Sequence, residues 1–365
     1  MSRGWRWLVA VALLLCIALV GWQCRPRGEA GADAPSPSAA RIGVLMARQA
    51  LESSGLDRRP ADCEARVARS IEAQKQRWLQ RGDAHGQASI AALTAVFSQT
   101  QDAQAEQRMT QESLQRQRRA APSNPDVAWF AASTCVPEAC DPGDTLQQLV
   151  TLEPDNAANW LKLAVHAMLP RDDVLFVEAM RGAAAATRHD ARAALPALAM
   201  LEVLTAEPLQ PQCRTLDAET RMVIEMGMLS TRDPVDIALF ALYSRQDIGN
   251  VSTPGYVADR CTRLQERYPA LPDACRKALE LMAGSDVLSE REGALSALLK
   301  LGGDEPALAR WEEQQRQIRW MRQNGTATLD HGLPILTIMR DGEIPALQAR
   351  LQREGRWPPP ADWQR

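Results

Sequence analysis

Lysine is scarce in this sequence: only Lys75, Lys162, Lys277 and Lys300 accompany the arginines that bring the basic total to 42. Acidic residues number 45, so the net charge is −3 and there is no basic excess. Surfaces that bind nucleic-acid phosphates need such an excess. We therefore expect no nucleic-acid partner. The preference for arginine, together with abundant alanine, is typical of a GC-rich bacterial genome.

Recognisable catalytic motifs are missing as well. The sequence has no P-loop, no Gly-x-Ser-x-Gly elbow, no His-Glu-x-x-His motif and no Cys-x-x-Cys pair. Of its four histidines, His85 and His331 adjoin glycines in expected turns. His189 follows an expected helix end, where a positive charge suits the helix dipole. We expect a non-enzymatic protein without cofactor or metal, and a hydrolase that lacks a recognisable motif is the alternative.

Alternating apolar and polar runs typical of β-strands are absent from residue 41 onward, and alanine, leucine, glutamine and arginine dominate. This composition predicts an all-α fold. Short breaks recur, many with Asp or Asn at the position of an N-cap. They lie at 81–83, 123–125, 141–143, 154–156, 170–172, 208–211, 232–234, 268–269, 302–304 and 341–342. Helices separated by tight turns are the plan of a helical-hairpin repeat.

Residues 1–24 predict a membrane anchor or signal segment. An uncharged stretch from Trp7 to Cys24 follows two arginines, and tryptophans flank its apolar centre as at a membrane interface. Two alternatives stay open: cleavage after Ala30-Gly31-Ala32, and lipidation of Cys24. All three export the rest of the chain. We expect a single-pass protein of the bacterial inner membrane, with its C-terminal domain in the periplasm.

The composition changes twice after the anchor. Residues 25–40 contain small residues and prolines, and they read as a flexible linker. Residues 41–365 form the expected α-helical periplasmic domain, with a possible subdivision near 121.

Six cysteines remain in the exported part, an even number that is consistent with disulfides in an oxidising compartment. Cys261 and Cys275 flank a helix break and could face each other across a helical hairpin. Cys135 and Cys140 could close a short loop, and Cys63 with Cys213 follows by elimination. Buried free thiols are the first alternative, and a zinc site is the second.

The stretch from Leu152 to Ala164 resembles the junction between two tetratricopeptide repeats. Pro154 lies in the turn, Trp160 and Leu163 lie on one face of the next helix, and Ala164 allows a neighbouring helix to approach. Residues 77–97 resemble the Sel-one-like variant of these repeats. Because the period of the family is not maintained, the resemblance implies an irregular solenoid or a helical bundle.

The helix after this turn is apolar on almost every side. Ala158, Leu161, Val165 and Met168 occupy the side that lines a groove in the repeat family, and a helix so apolar is normally buried all round. We expect another helix to fill the groove, for instance the glutamine-rich segment 98–120 or the C-terminus. The basic clamp that grips peptide carboxylates in some family members is absent at the positions that align.

The C-terminal residues 351–365 contain two tryptophans and three consecutive prolines. Such an extended segment can pack its rings on the helical body, or it can dock on a partner.

By analogy with the repeat family, we expect a scaffold or interaction module that binds another envelope protein. One alternative is a binder of an apolar small molecule or lipid in the helical interior, beside Leu161, Val165 and Met168. The hydrolase is the other. A histidine beside a carboxylate, with a perturbed pKa, would favour the hydrolase.

Overall fold

Helices are the only regular elements in the computed structural model, which describes residues 61–96, 103–134, 142–168, 171–210, 213, 224, 230–248, 253–325 and 332–363. The predicted all-α class is confirmed. The fifteen helices within these ranges are α1 (Ala61–Arg81), α2 (Ala84–Val96), α3 (Ala103–Ala120), α4 (Pro125–Ser133), α5 (Pro142–Leu152), α6 (Ala157–Met168), α7 (Asp173–Ala185), α8 (Leu195–Ala206), α9 (Pro234–Ile248), α10 (Thr253–Leu264), α11 (Leu271–Met282), α12 (Leu288–Leu301), α13 (Glu305–Gly325), α14 (Ile335–Asp341) and α15 (Glu343–Arg353).

The predicted anchor, the linker, Cys135 and Cys140 lie outside the described residues. None of the helices given above is both long and apolar enough to cross a membrane.

Side-chain caps at the predicted breaks determine where several helices begin. Asn124 accepts hydrogen bonds from the amides of Asp126 (3.1 Å) and Val127 (3.3 Å), and Pro125 occupies the first turn of α4. Asp172 caps α7 in the same way. Further amides bonded to an aspartate at a helix start are those of Gly86, Val235 and Ala307. Each cap satisfies a backbone donor that the first helical turn leaves unpaired.

Two clusters of buried apolar side chains form the interior. The first is built mainly on α4–α7, and the second on α1, α8, α9 and α13–α15. Four helices contribute to both clusters through adjacent residues: Ala92 and Leu93, Val257 and Ala258, Ala278 and Leu279, Ala294 and Leu295. Adjacent helical residues point about 100° apart, so α2, α10, α11 and α12 each bury two faces. The described residues belong to one compact unit.

Helices from later in the chain cover the apolar helix α6. In addition to its neighbours α5 and α7, α6 contacts α10 and α11. Ala158 and Leu161 are buried, and Val165 and Met168 pack against the first cluster. The glutamine-rich α3 packs against α2 and α4. The side of α6 that would line a groove is therefore occupied by protein.

Two disulfides connect separate segments of the described chain. Cys261 on α10 is bonded to Cys275 on α11 across the predicted break, and Cys63 on α1 is bonded to Cys213. The predicted Cys261–Cys275 pairing is confirmed, and the structure also has the Cys63–Cys213 bond that was expected by elimination. The second closes a loop with a sequence separation of 150, so it removes more freedom from the unfolded chain than the first, whose separation is 14.

The C-terminal residues 354–363 pack on α13. The indole nitrogen of Trp320 donates to the carbonyl of Arg356 (2.8 Å), and its ring meets that of Trp363 edge to face at 5.2 Å. Arg316 donates to the carbonyl of Pro360 (2.9 Å). We expected this segment either to pack on the helical body or to dock on a partner, and in the structure it packs on the helical body.

We predict that the denatured, unreduced domain 41–365 contains at most two reactive thiols, because Cys135 and Cys140 are the only cysteines there besides the two bonded pairs. Reduction should raise the number to six. Thiol titration measures both values, and the double variant Cys135→Ser/Cys140→Ser is the control that should read zero before reduction. Four thiols in that unreduced variant would show that neither disulfide forms.

Candidate functional site

Backbone hydrogen bonds join the turn before α6 to the loop that follows α7. The amide of Ala157 donates to the carbonyl of Arg188 (2.8 Å), and the amide of Arg188 donates to the carbonyl of Asp155 (3.1 Å). The side chain of Asn156 then bonds both backbone groups of Asp190. A parallel bridge between Asn156 and Arg188 results. The turn noted in the sequence therefore closes the α6–α7 hairpin at its open end.

Arg192 is the centre of the buried polar network beside this bridge. Its guanidinium group, 3% exposed, donates to Asp126 (2.5 Å), pairs with Glu153 and reaches the amide oxygen of Asn159 at 3.4 Å. The backbone of Arg192 is left-handed (φ 55°), and its amide donates to the side chain of Asp190 (2.9 Å). An arginine in this conformation is uncommon. The turn thus aims a charged side chain into the interior.

Glu153 stays ionised at this partly buried position. Burial alone raises its pKa, but the charge of Arg192 and hydrogen bonds from Arg192, Asn159 and Arg188 together lower it from 4.5 to about 2. Arg188 lies 2.8 Å from one carboxylate oxygen and also bonds Asp155 at 2.9 Å. Two arginines therefore share this carboxylate.

Lys162 lies next to the network, on the face of α6 toward α4. Its Nζ donates to the hydroxyl of Ser133 at 2.9 Å and lies 4.1 Å from the centre of the Trp129 ring. The guanidinium carbon of Arg192 is 5.0 Å from the same ring centre. Burial of the ammonium group and the charge of Arg192 lower the pKa of Lys162 to about 8, although Glu290 acts in the opposite direction.

His189 is buried beside Glu290 of α12. Its Nδ1 lies 3.7 Å from a carboxylate oxygen of Glu290 and has no hydrogen-bond partner among the described residues, and that oxygen accepts a bond from Ser285 (2.7 Å). The side chain is 4% exposed, and burial lowers its pKa below 6.5. Burial therefore favours the neutral imidazole here, although the charges of Glu290 and Asp190 act in the opposite direction on its pKa.

The four residues of the repeat signature lie together at the start of the hairpin. The indole nitrogen of Trp160 donates to the carbonyl of Pro154 (2.8 Å), and its ring covers Gly182 of α7. Leu163 and Ala164 are fully buried in the first cluster. These residues determine how the two helices of the hairpin pack, whereas the charged groups beside them form the polar network.

Most residues of the polar network carry no signal in the sequence. Lys162 is recognisable as a charge on an apolar helix. Its neighbours lie on α4 (Trp129 and Ser133), in the loop before α8 (Arg192) and on α12 (Glu290), and only the fold brings these three elements together. Over the described ranges, no group of three or more His, Cys, Asp or Glu side chains is arranged to bind a metal ion.

No protein-family model matches the chain, and no curated protein or solved structure matches it significantly. The tetratricopeptide-like resemblance therefore stays a prediction carried by the residues of the α6–α7 hairpin.

Proposed function

We propose that this chain is a non-enzymatic binding protein of the bacterial envelope. Its N-terminal segment tethers it to the inner membrane, and its irregular helical repeats dock another envelope protein from the periplasm. The two disulfides support an oxidising compartment, where such bonds persist. The α6–α7 hairpin supports a repeat architecture, whose usual role is to present a surface to a partner.

The proposal rests on two large apolar side chains that are exposed on helices joined by an ion pair. Asp173 at the start of α7 is bridged by Arg260 of α10 and by Arg267, whose Nη1 lies 3.4 Å from its carboxylate. Val174, the next residue of α7, is 57% exposed, and Tyr256, one turn before Arg260, is 53% exposed. Residues four apart share a helix face, so Tyr256 lies on the side of the bridge. We call this the Val174–Tyr256 surface.

The composition of this surface suits a protein partner. Tyrosine and arginine are enriched where proteins bind each other, and an apolar centre with a charged rim is usual there. The ion pairs hold α7 and α10 in one arrangement, which limits the entropy that would be lost on binding. We expect a partner with an apolar patch flanked by both signs of charge.

The packing of α6 gives the apolar-ligand alternative no support, since Leu161, Val165 and Met168 all contact core side chains. For the hydrolase alternative, His189 beside Glu290 is the relevant observation. Its side chain is 4% exposed, which leaves no direct approach for a substrate.

We predict that a photocrosslinking amino acid at position 174 and one at position 256 capture the same partner protein. The full-length protein is used for this test, in native membranes. Leu79 of α1 and Leu336 of α14 are exposed to 60% and 48%, so they serve as controls of similar character. Mass spectrometry should identify one envelope protein at 174 and 256, and not at 79 or 336. Equal adducts at all four positions, or none, would contradict the proposed surface.

A further inference from the structure

We propose that the face of α13 around Trp320 is a docking site for an extended, proline-containing segment of another protein. The C-terminal strap, residues 354–363, occupies this site in the structure and shows which chemistry fits it. The site, which we call the Trp320 site, includes neither residue of the Val174–Tyr256 surface. It therefore does not depend on the function proposed for that surface.

Three side chains of α13 form the Trp320 site. Arg316, Trp320 and Asn324 are spaced four residues apart, so they lie on one face of the helix, and each is half-buried. Two hydrogen bonds to Glu313, at 2.7 and 2.9 Å, orient the guanidinium group of Arg316. The amide nitrogen of Asn324 donates to the carbonyl of Trp320 (3.1 Å). These bonds fix polar groups on both sides of the indole ring.

The site bonds the main chain of the strap. The indole nitrogen of Trp320 donates to the carbonyl of Arg356 (2.8 Å), and Arg316 donates to the carbonyl of Pro360 (2.9 Å). Every peptide has such carbonyl groups, and an extended proline-containing segment leaves them free to accept. One bond involves a strap side chain: Arg356 donates to the amide oxygen of Asn324 (2.8 Å). The site therefore selects mainly for an extended backbone and adds a preference for one basic residue.

Aromatic and proline rings form the apolar part of the contact. The amide of Trp363 donates to the carbonyl of Pro360 (3.0 Å), and this turn places the Trp363 ring edge to face with Trp320. Pro359 is buried, and Trp357 packs against the second cluster. Proline-rich segments dock in grooves lined by aromatic side chains, because their rings preset the bound conformation. The ligand that fits this site is therefore an extended segment with prolines and an aromatic ring.

Little of the strap is buried, so a competing segment can replace it. Pro359 is its one buried residue. The strap leaves α15 at Gly355, whose left-handed backbone (φ 67°) ends the helix. Apart from its chain neighbours, no described atom lies within 4 Å of a Cβ added at Gly355. A chain end with so few buried contacts opens at a small cost in free energy, and the helical body stays folded.

Binding of a labelled peptide to the full chain tests the site. The probe is a fluorescein-labelled peptide of residues 354–363, followed by fluorescence anisotropy with the protein in detergent. Pro359→Asp/Trp363→Ala, the release variant, alters the strap and leaves α13 unchanged. We expect it to bind the peptide at least about tenfold more tightly than the unaltered chain, because the tethered strap competes at an effective concentration of about 1 mM. Equal affinities, or no binding to the release variant, would overturn the proposal.

Changes on α13, made in the release variant, locate the bound peptide. Arg316→Ala/Trp320→Phe removes both donors to the peptide carbonyls but keeps an aromatic ring, so the affinity should fall at least about tenfold. Arg310→Ala removes an arginine of the same helix that is 56% exposed and should change the affinity by less than about twofold. Near-ultraviolet circular dichroism checks that the variants are folded, and Trp363→Ala alone is the milder release. Equal losses in the two α13 variants would place the peptide elsewhere and contradict the proposal.

Two further measurements identify the ligand. A peptide in which alanine replaces all three prolines, 358–360, should bind at least about tenfold more weakly, since it is no longer preset in an extended conformation. Equal binding of the two peptides would exclude proline as the recognised feature. Sedimentation velocity should give the same oligomeric state for the unaltered chain and the release variant. A dimer that becomes monomeric in the release variant would assign the site to the strap of a second copy and overturn the proposal.

Discussion

Replacing Arg192 with alanine is expected to lower the free energy of unfolding by about 3–5 kcal/mol, the usual effect of removing one partner from a buried charge network. The variant leaves Asp126 and Glu153 without the guanidinium group that now pairs with both. It also removes the donor that reaches the amide oxygen of Asn159. Urea unfolding followed by circular dichroism measures the loss.

Two controls separate the network from a general effect of lost charge. Arg340→Ala removes an arginine that is 74% exposed and that pairs, among the described residues, with its sequence neighbour Asp341, so it should leave the urea midpoint unchanged. Arg192→Lys keeps the charge but loses the planar guanidinium group that reaches three partners. We expect a loss of unfolding free energy between those of Arg192→Ala and Arg340→Ala. If Arg192→Ala and Arg340→Ala behave alike, the network does not stabilise the fold.

The same variant should change how stability depends on pH. The pKa of Glu153 is depressed in the folded protein, from 4.5 to about 2, so its contribution is complete above pH 4.5 and is lost as the pH falls toward 2. The shift corresponds to about 3 kcal/mol. In Arg192→Ala, burial still raises the pKa of Glu153, but the main group that lowers this pKa is gone. The free energy of unfolding should therefore fall less steeply between pH 4.5 and 2. Identical slopes for the two proteins would contradict this assignment.

Local features of the fold were predictable because one or two residues carry them. An aspartate or asparagine at a break can cap only the helix that follows, and Asn124 and Asp172 do so. Cys261 and Cys275 are close in sequence and flank one break, so geometry leaves few other pairings. The helices that cover α6 were not predictable, because the apolar face of α6 has no feature that selects α10 and α11 over α3 or the C-terminus.

The polar site was largely invisible for a related reason. Arg192 and Asp126 are 66 residues apart, and each resembles an ordinary exposed charge in its own segment. Only the left-handed turn at Arg192 directs the guanidinium group inward, and arginine has no intrinsic preference for that conformation. For His189 the sequence indicates a helix end but not the packing of α12, which places Glu290 beside the buried side chain.

The second large effect concerns the contact between α6 and α7. A Cβ atom added at Gly182 would lie 2.4 Å from the ring of Trp160, far inside van der Waals contact. The ring cannot easily retreat, because its nitrogen is bonded to the carbonyl of Pro154. Overpacking of this kind costs about 1–3 kcal/mol. Alanine in place of helical glycine would otherwise stabilise by up to about 1 kcal/mol.

We therefore expect Gly182→Ala to lower the free energy of unfolding by up to about 2 kcal/mol, the difference between overpacking and helix propensity. Gly255→Ala on α10 is the matched control: apart from the backbone of its own helix, no described atom lies within 4 Å of the added Cβ, so stability should be unchanged or slightly raised. Trp160→Leu supplies the second test. If the clash is the cause, the double variant Trp160→Leu/Gly182→Ala loses less than the sum of the single losses. Additive losses, or stabilisation by Gly182→Ala, would mean that Trp160 does not select glycine at this crossing, and the repeat-like packing of the hairpin would lose its main support.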